Sequence, residues 1–565
     1  MYLAIVKGFR KSTYINGHLK QCGIKVMPLL KDFSWFEKMK HLTLLLIFGM
    51  MTNTLFAQSY IWAKGEGGIG NDVANAVSVD EQGNTYVVGN LAGAADVSGT
   101  TVQGQGLYDV LLIKYNPQGN VVWIRTAGDD RNQQANAIKY KNGYVYIAGI
   151  FEDTCFFGSN FIVAKGDADV FIAKYDANGN FVWAKGAGGT ETDYVSGIDV
   201  DDNGNIYIGG NYETSAVFDT TTISTTNFFN ESFIAKYNNN GILQWVKTSK
   251  GTNTNQITGV AYDNSNGVYF TGFFGSNYGM SDATISSATT SYDILIGKLD
   301  LSGTLQWLKK AGSTYEDAAY AVCADAGGNA FIAGYFAGTA TFGTNTITYK
   351  NYNDIFVAKY DASGNNEWVR AGKGQELDVA YGIACDAVGN VYATGLFQDN
   401  AEFDGTTITG NYRDVFIVSY STNGALRWIT TGGAGNTDCG IGIAVKNNDH
   451  VVIAGYYLYT CTFGSITLPY ADGNDLMVAE YSPPFLSSLS HSVSREWAIS
   501  PNPNNGICNT TLPENTLVNV YCAQGILVSQ ALVLNNAIVF DQLCSGIYFL
   551  QIEGTVQAAQ KLVIY

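Results

Sequence analysis

Residues 317–372 hold one full copy of the unit that decides the fold: DAAYAVCAD (317–325), AGGN (326–329), AFIAGYF (330–336), DIFVAKYD (354–361), ASGN (362–365) and NEWVRAG (366–372). Four of these runs are rich in β-branched and aromatic residues, which predicts four strands, named a, b, c and d. Gly328-Asn329 and Gly364-Asn365 mark the two short turns, because glycine supplies the positive φ that tight hairpins need.

This unit recurs at a near-constant spacing. One tryptophan of strand d marks each copy, at Trp62, Trp123, Trp183, Trp245, Trp307, Trp368 and Trp428, with intervals of 61, 60, 62, 62, 61 and 60 residues. Strand c is apolar on both sides, as in residues 355–358, so it needs cover on both faces. Four-stranded sheets stacked around an axis provide that cover, and the sequence therefore predicts an all-β, seven-bladed β-propeller.

The order of the runs also predicts how the ring closes. The strand of Trp62 precedes the first strand a, and the last strand c, which contains residues 475–478, has no strand d after it. We therefore expect the N-terminal strand to complete the last blade, within residues 440–481.

The repeated unit resembles the SBBP family of bacterial β-propeller repeats. The matching pieces are residues 386–392, 169–175 and 179–183, and the resemblance extends over residues 60–481. The family implies a fold but no single activity.

The tryptophan period stops after Tyr481. Residues 483–496, with Pro483-Pro484 and several serines, are predicted to be a linker, and residues 497–565 a small β-sandwich-like domain. PNP (501–503), VYCAQG (520–525) and LCSGIY (543–548) resemble the type A sorting domain of type IX secretion cargo. This resemblance implies a partner, the type IX secretion machinery. It also implies passage across the outer membrane, removal of the tail, and release or attachment to surface glycolipid. The alternative is an accessory β-sandwich that binds a partner.

The first 57 residues are predicted to be a leader. Residues 39–57, MKHLTLLLIFGMMTNTLFA, have the layout of a secretory signal peptide, with cleavage between Ala57 and Gln58. Residues 1–38 are interpreted as an upstream extension of a gene that starts at Met39, or as a long basic n-region. No apolar run reaches eighteen residues, so no transmembrane span is predicted. The propeller then occupies residues 58–482.

Charge and cysteine content limit the function. The leader contributes +6 to the net charge of −17, which leaves −23 on the rest of the chain. A surface this acidic repels phosphates, so we expect no nucleic-acid partner. The nine cysteines show no zinc-ligand spacing, and their disulfide pairing is left open.

Chain connectivity predicts where a binding site lies. The a–b and c–d turns share one face of the disc, and the b–c and d–a connections, such as 272–292 and 334–353, share the other. We interpret these connections as long, variable loops that carry function. Aromatic residues precede strand c in five blades and are the predicted ligand-binding residues: Tyr108, Phe229, Tyr292, Tyr352 and Tyr412.

Five aspartates recur just before strand a: Asp72, Asp193, Asp317, Asp378 and Asp438. They are candidate ligands for a cation such as Ca²⁺, and we expect no other cofactor. Acceptance of backbone N–H groups is the alternative role.

Catalytic motifs are absent from the sequence. His450 and His491 are the histidines that follow the leader, and no GxSxG, HExxH or P-loop occurs. We therefore predict a secreted or cell-surface binding module, for a glycan or a protein, and not an enzyme. Two alternatives stay open: a secreted lyase or hydrolase, and a structural or adhesive surface component.

Overall fold

The computed structural model describes residues 59–483, apart from 227–229, 288, 290, 447–448 and 470–472. In the C-terminal part it describes residues 499–500, 507–510, 512, 516–522, 527–534, 537–540, 543, 546–552 and 560–564. The predicted leader, its cleavage site, Phe229, His491 and most of the linker lie outside these ranges. The described residues form β-strands and no α-helix. They include no helix of the length and apolarity that crossing a membrane requires.

The strands of the repeated part alternate between long strands and short hairpin strands. In chain order the first half comprises β1 (Ser59–Gly68), β2 (Val73–Val79), β3 (Thr85–Leu91), β4 (Ala94–Val97), β5 (Thr100–Gln103), β6 (Asp109–Tyr115), β7 (Val121–Ala127), β8 (Gln133–Lys141), β9 (Tyr144–Phe151), β10 (Thr154–Phe157), β11 (Asn160–Val163), β12 (Asp169–Asp176), β13 (Phe181–Ala187), β14 (Tyr194–Val200), β15 (Ile206–Tyr212), β16 (Ser215–Phe218), β17 (Thr221–Ser224), β18 (Glu231–Tyr237), β19 (Leu243–Gly251), β20 (Asn255–Tyr262), β21 (Gly267–Gly275), β22 (Asn277–Met280) and β23 (Ala283–Ser286).

The same alternation continues to the end of the repeats, followed by the strands of the tail. These are β24 (Tyr292–Asp300), β25 (Leu305–Gly312), β26 (Ala318–Ala324), β27 (Ala330–Phe336), β28 (Thr339–Phe342), β29 (Asn345–Thr348), β30 (Asp354–Tyr360), β31 (Asn366–Gly374), β32 (Val379–Cys385), β33 (Val391–Phe403), β34 (Thr406–Tyr420), β35 (Leu426–Gly432), β36 (Cys439–Val445), β37 (Val451–Leu458), β38 (Thr462–Phe463), β39 (Ile466–Thr467), β40 (Asn474–Ser482), β41 (Ile499–Ser500), β42 (Ile507–Thr510), β43 (Leu517–Cys522), β44 (Leu527–Leu534), β45 (Ala537–Val539), β46 (Gly546–Ile552) and β47 (Gln560–Ile564).

Antiparallel pairing joins the long strands of residues 59–482 in sets of four, in the order a-b-c-d. The sets are β2-β3-β6-β7, β8-β9-β12-β13, β14-β15-β18-β19, β20-β21-β24-β25, β26-β27-β30-β31, β32-β33-β34-β35 and β36-β37-β40-β1. The first strand of each set contacts the first strand of the next, and β36 contacts β2 in turn. Strand c is almost entirely buried in each set, as the sequence predicted, and in β34 this applies to residues 414–420.

The last set is completed by the N-terminal strand, as expected. Strand β1 pairs antiparallel with β40, from Ser59 opposite Ser482 to Glu66 opposite Leu476. The indole Nε1 of Trp62 donates to Glu480 Oε2 at 2.8 Å in a buried site. The two ends of the repeated region are thus held in one sheet.

The b–c connections are shorter and more regular than predicted. Residues 277–286 and 339–348, assigned above to long variable loops, form the hairpins β22–β23 and β28–β29. These hairpins pair with strand d of the preceding set, as β22 does with β19 and β28 with β25. The interpretation as loops was wrong because backbone pairing to a neighbouring set leaves no simple signal in a single repeat.

The repeated Asp and Gly-Asn residues specify the turns. Asp201 Oδ1 accepts the backbone N–H groups of Asn203 and Asn205, both at 2.9 Å, and its Oδ2 accepts Asn205 Nδ2 at 2.8 Å. Asp80, Asp176, Asp361 and Asp386 make the corresponding bonds in other turns. This side-chain capping of a tight turn explains why the motif recurs without a ligand.

The repeated tryptophan of strand d forms a hydrogen bond to the next set. The Nε1 of Trp123 donates to the carbonyl of Ala177 in the following c–d turn at 3.2 Å. Gly179 of that turn has φ +78°, and a Cβ on it would lie 2.9 Å from the Trp123 ring. Position 179 therefore requires glycine for two reasons: the backbone has a positive φ, and the Trp123 ring leaves no room for a Cβ.

The strands between residues 499 and 564 form a sheet of their own. The strand order is β41-β42-β45-β44-β43-β46-β47. Its buried side chains include Val518, Val520, Val533, Ile538 and Leu550.

Candidate functional site

The predicted aromatic residues differ in their exposure. Tyr352 and Tyr412 are 58% and 46% exposed, whereas Tyr108 and Tyr292 are half-buried. The Tyr292 ring packs against Phe273 of its own set, with centroids 5.0 Å apart. Two of the four described side chains thus offer their rings to solvent. Sequence reasoning missed a third exposed ring, Tyr315, which is 57% exposed and stacks on Tyr349 at 6.3 Å.

The predicted cation ligands are buried and bound to backbone. Asp317 Oδ2 accepts the N–H of Ser313 at 2.6 Å, and its Oδ1 accepts that of Ala337 at 2.9 Å. Asp72, Asp193 and Asp438 also accept two N–H groups each, and Asp378 accepts that of Gln398. Within the described ranges, no group of three or more His, Cys, Asp or Glu side chains could hold a metal ion. Calcium binding stays a prediction, while these bonds give each aspartate a structural role.

Each of these aspartates faces a second carboxyl from the preceding set. Asp169 Oδ1 and Asp193 Oδ2 both lie within 3 Å of the position that a Cβ on Gly188 would occupy. Electrostatic repulsion acts likewise between Asp293 and Asp317, Asp354 and Asp378, Asp414 and Asp438, and Asp475 and Asp72. Burial, opposed by backbone hydrogen bonds and reinforced by repulsion from Asp169, raises the pKa of Asp193 to about 7, and burial reinforced by repulsion from Asp72 raises the pKa of Asp475 to about 7. We call these five pairs the junction carboxyl pairs.

A cavity of about 490 Å³ lies among the first strands of the seven sets. Strands β2, β8, β14, β20, β26, β32 and β36 each contribute to its lining, together with Phe273. None of the predicted aromatic or aspartate residues is among the lining residues that the structure describes. This cavity is the candidate functional site.

A β-bulge occurs at the same place in each of these strands. In β26 the pairing register shifts between Ala319 and Ala321, so Tyr320 has no direct partner on β27. A bulge re-aims a side chain, and here the bulged residue of every first strand lines the cavity. The seven bulged residues are Asn75, Asn136, Ser196, Thr258, Tyr320, Tyr381 and Ile441.

The bulged residues divide the cavity wall into a polar and an aromatic part. Asn75 Nδ2 donates to the Ala135 carbonyl of the next set at 2.9 Å, and Thr258 Oγ1 donates to that of Ala319 at 2.8 Å. On the other part, Tyr320 and Tyr381 lie side by side, with ring centroids 5.2 Å apart and planes tilted by 31°. Each bulged residue is half-buried, so part of its surface remains open to a ligand.

The described lining carries no charged side chain. Burial raises the pKa of the Tyr320 hydroxyl and, further, that of Tyr381, so both phenols are neutral at physiological pH. Anions and cations would therefore lose their hydration without gaining a counter-charge. The site favours an uncharged ligand with hydroxyl or amide groups.

Sequence reasoning did not single out the bulged positions. Their variation in sequence gave no distinct signal, because the residue directly after the junction aspartate varies as much between copies of strand a as the bulged residue does. Only the bulge shows that this position faces the cavity.

Comparison with known protein families identifies two segments of the chain. The model of the secretion system C-terminal sorting domain matches residues 498–565. The chain therefore ends in a type IX sorting domain. This domain marks a protein for secretion to the cell surface or the extracellular space, and the type IX machinery handles its export. The model of the SBBP β-propeller repeat matches residues 182–211.

The curated relatives share a part of the sequence. An uncharacterized WD repeat-containing protein of Acanthamoeba polyphaga mimivirus is 25% identical over 291 residues, which are 48% of this chain and 18% of the relative. The regulatory protein FlaEY of Caulobacter vibrioides is 26% identical over 137 residues, 23% of this chain and 14% of that protein. The matched segments thus span less than a fifth of either relative.

Solved structures include similar propellers. The WD40 β-propeller domain of Doa1 shares 10% identity over 76% of this chain and 97% of that one, with a TM-score of 0.37. Sqt1 from Chaetomium thermophilum shares 12% identity over 74% and 89%, with a TM-score of 0.35. We draw nothing about function from similarity at this level.

The sorting domain leads to a prediction for export. Deleting residues 497–565 removes the segment that the secretion machinery recognises, so we expect the chain to accumulate in the periplasm of a bacterium with type IX secretion. Cell fractionation and surface labelling with an antibody against the repeats would measure this. A full-length chain with Tyr352→Ala is the control, since it should be exported normally. Undiminished surface delivery of the truncated chain would contradict the prediction.

Proposed function

We propose that this chain is a secreted, seven-bladed β-propeller that binds an uncharged extracellular ligand, best a neutral glycan, in its central cavity. The observation that carries the proposal is the bulged position of strand a, where every set contributes a side chain to one cavity and where these side chains differ from set to set. A ring of chemically different side chains on a repeated scaffold is suited to recognition.

The strand pairing supports the seven-bladed ring and its boundaries. Seven sets of four strands are present among the described residues, and contacts between first strands lead from β2 around to β36 and back to β2. In this proposal residues 58–482 form the ring, residues 483–496 a linker, and residues 497–565 a separate sandwich-like sorting domain behind a leader that is removed.

The chemistry of the cavity supports a neutral sugar. Tyrosine rings stack on the apolar faces of sugar rings, and amide and hydroxyl groups bind the sugar hydroxyls. Tyr320 and Tyr381 provide the first element, and Asn136, Ser196 and Gln256 lie among the lining residues that provide the second. The acidic surface of the chain would repel anionic glycans and nucleic acids.

Binding without catalysis is part of the proposal. A lyase would use a Tyr–Arg pair, and one such pair is Tyr392 and Arg427, joined at 2.9 Å. Tyr392 is buried, and its hydroxyl bonds to Asp449 and Asp386 close to the a–b turns. This pair therefore lies away from the cavity and is engaged in structural contacts.

Two double variants test the site. Tyr320→Ala with Tyr381→Ala should weaken binding at least about tenfold, because each stacked ring contributes roughly 1 kcal/mol. Tyr352→Ala with Tyr412→Ala removes the exposed rings of the predicted aromatic set and should change the affinity less. Binding of the exported protein to arrays of neutral glycans, acidic glycans and proteins, followed by calorimetry on the best ligand, measures both effects.

Circular dichroism and the unfolding temperature serve as the check that both variants are folded. If the Tyr352/Tyr412 variant loses binding and the Tyr320/Tyr381 variant binds fully, the site lies on the face of the b–c and d–a connections and not in the cavity. Absence of any ligand on the arrays would favour the structural or adhesive role instead.

A further inference from the structure

Two cysteines meet at the contact between β26 and β32. Cys323 lies near the end of β26, opposite Phe331, and Cys385 ends β32, opposite Val391. The two strands belong to consecutive sets and contact each other directly. The thiol of Cys323 lies within hydrogen-bonding reach of that of Cys385, and both side chains are partly accessible.

The other cysteines of residues 59–483 have different surroundings. Cys155, Cys439 and Cys461 are fully buried, and Cys155 and Cys461 pack in hydrophobic clusters of separate sets. Cys439 Sγ contacts the Gly440 carbonyl at 3.7 Å. Cys323 and Cys385 are thus distinguished by lying on contacting strands with their thiols side by side.

A lysine of the second set interacts electrostatically with the two thiols. Lys139 of the second set forms an ion pair with Asp199 at 2.7 Å, and its ammonium interacts electrostatically with both Cys323 and Cys385. Burial and the neighbouring Cys385 thiol raise the pKa of the Cys323 thiol well above its ordinary range, and Lys139 offsets this only in part, so bond formation proceeds through a small thiolate fraction.

We propose that Cys323 and Cys385 are joined by a disulfide in the exported protein. The sorting domain sends the chain out of the reducing cytoplasm, and disulfides form and persist in the oxidising compartments beyond it. The oxidant is a protein disulfide of the periplasm. One thiolate attacks a sulfur of that disulfide to give a mixed disulfide and release one oxidant thiol. The second thiolate then attacks the mixed disulfide, forming the Cys323–Cys385 bond and releasing the second oxidant thiol.

This bond acts on the strands that carry the aromatic part of the cavity wall. Tyr320 precedes Cys323 on β26, and Tyr381 precedes Cys385 on β32. A covalent link between these strands fixes the spacing of the two rings and closes a chain segment of 62 residues, which restricts the unfolded chain. The proposal does not depend on the identity of the ligand.

Peptide mapping of the full-length exported protein tests the bond. The chain is denatured in iodoacetamide without reductant and digested, and we expect Cys323 and Cys385 in one linked peptide that separates on reduction. Cys155, Cys439 and Cys461 should carry the alkyl group and act as internal controls. Alkylation of both Cys323 and Cys385 would overturn the proposal, as would a link from either one to another cysteine.

A pair of variants checks the structural consequence. Reduction should lower the unfolding temperature of the wild-type chain by several °C and leave that of the Cys323→Ser/Cys385→Ser variant unchanged. In Cys323→Ser alone, Cys385 should become open to alkylation before reduction. If that variant does not fold, the peptide map of the wild-type chain still decides, because it needs no substitution. An equal shift on reduction in both chains would also overturn the proposal.

Discussion

A chain that begins at Ile69, and so lacks strand β1, should fail to form a stable propeller. Strand β1 lies between β40 and β4 in a six-stranded sheet, with residues of the last set on one side and of the first set on the other. Removing it exposes the edge of β40 and the apolar side chains beneath it. Tyr60 packs on Phe463 and Tyr481, with centroids 4.9 and 5.1 Å away, and Trp62 stacks on Tyr115 at 5.9 Å.

The loss of folding stability should be large because several stabilising contacts are removed together. Deleting a buried tryptophan or a comparable aromatic side chain costs about 3–5 kcal/mol, and Glu480 would keep a buried charge without the indole donor. These losses are comparable to the whole stability of a typical domain. An exposed strand edge also invites aggregation.

The comparison is a chain that begins at Gln58 and retains β1. We expect a cooperative unfolding transition by calorimetry for that chain, and a broad transition or insoluble protein for the shorter one. A synthetic peptide of residues 58–68 added during refolding should recover part of the transition. Equal midpoints for the two chains would show that the ring does not need this strand.

Stability should also fall as the pH rises from about 4 to about 8. The pKa values of Asp193, Asp317, Asp438 and Asp475 are raised to about 7, and that of Asp378 to about 8, with burial as the main cause. The folded state therefore binds protons that the unfolded state has already released. The contribution of these aspartates to the free energy of unfolding is complete below about pH 4, which is the ordinary pKa of an aspartate. It is lost as the pH rises through 7 to 8.

Two junctions without a carboxyl pair support this expected pH dependence. At two junctions an amide replaces one carboxyl: Gln133 stands beside Asp109, and Asn255 Nδ2 donates to Glu231 Oε2 at 3.2 Å. The Asn255 amide donates to its carboxylate partner at any pH, as a protonated acid does at low pH, whereas Gln133 Nε2 donates to Asp129 Oδ1 and the Glu152 carbonyl. The other five junctions need a proton for the same bond.

Asp169→Asn and Asp414→Asn test whether protonation of the junction carboxyl pairs stabilises the fold, because they change few other contacts. In each residue Oδ2 accepts a backbone N–H, while Oδ1 has no partner and faces the second aspartate of its pair. Asparagine can keep the first bond and place its amino group at the second position. We expect the double variant to unfold at a higher temperature than the wild type at pH 8.5, with a smaller difference at pH 5.

Asp282→Asn is the matched control, because it removes one charge from an exposed position. Across the five junctions the effect should amount to roughly several kcal/mol between pH 5 and pH 9. Thermal unfolding followed at half-unit steps of pH would resolve it. A profile that is flat over this range, or equally steep in the double variant, would refute proton sharing at the junctions.

Much of the architecture was predictable because each repeat encodes its own strands. The Gly-Asn turns, the all-apolar strand c and the tryptophan period are local signals, and they led to the four-stranded sets and to the pairing of the Trp62 strand with the last set. The sorting domain was predictable for the same reason, since its motifs are contiguous in sequence. The b–c hairpins were missed because their partner strand lies in the preceding set.

The sequence by itself therefore determined the strands, their grouping and the destination of the chain, since each depends on residues close together along the chain. Tertiary structure alone decided the rest. Asp72 and Asp475 are about 400 residues apart in sequence, yet they form one junction pair. Tyr320 and Tyr381 become neighbours when their sets stack, and they face the cavity because a bulge turns each of them out of the regular strand alternation. These features depend on contacts between residues far apart in sequence, which the repeat pattern does not specify.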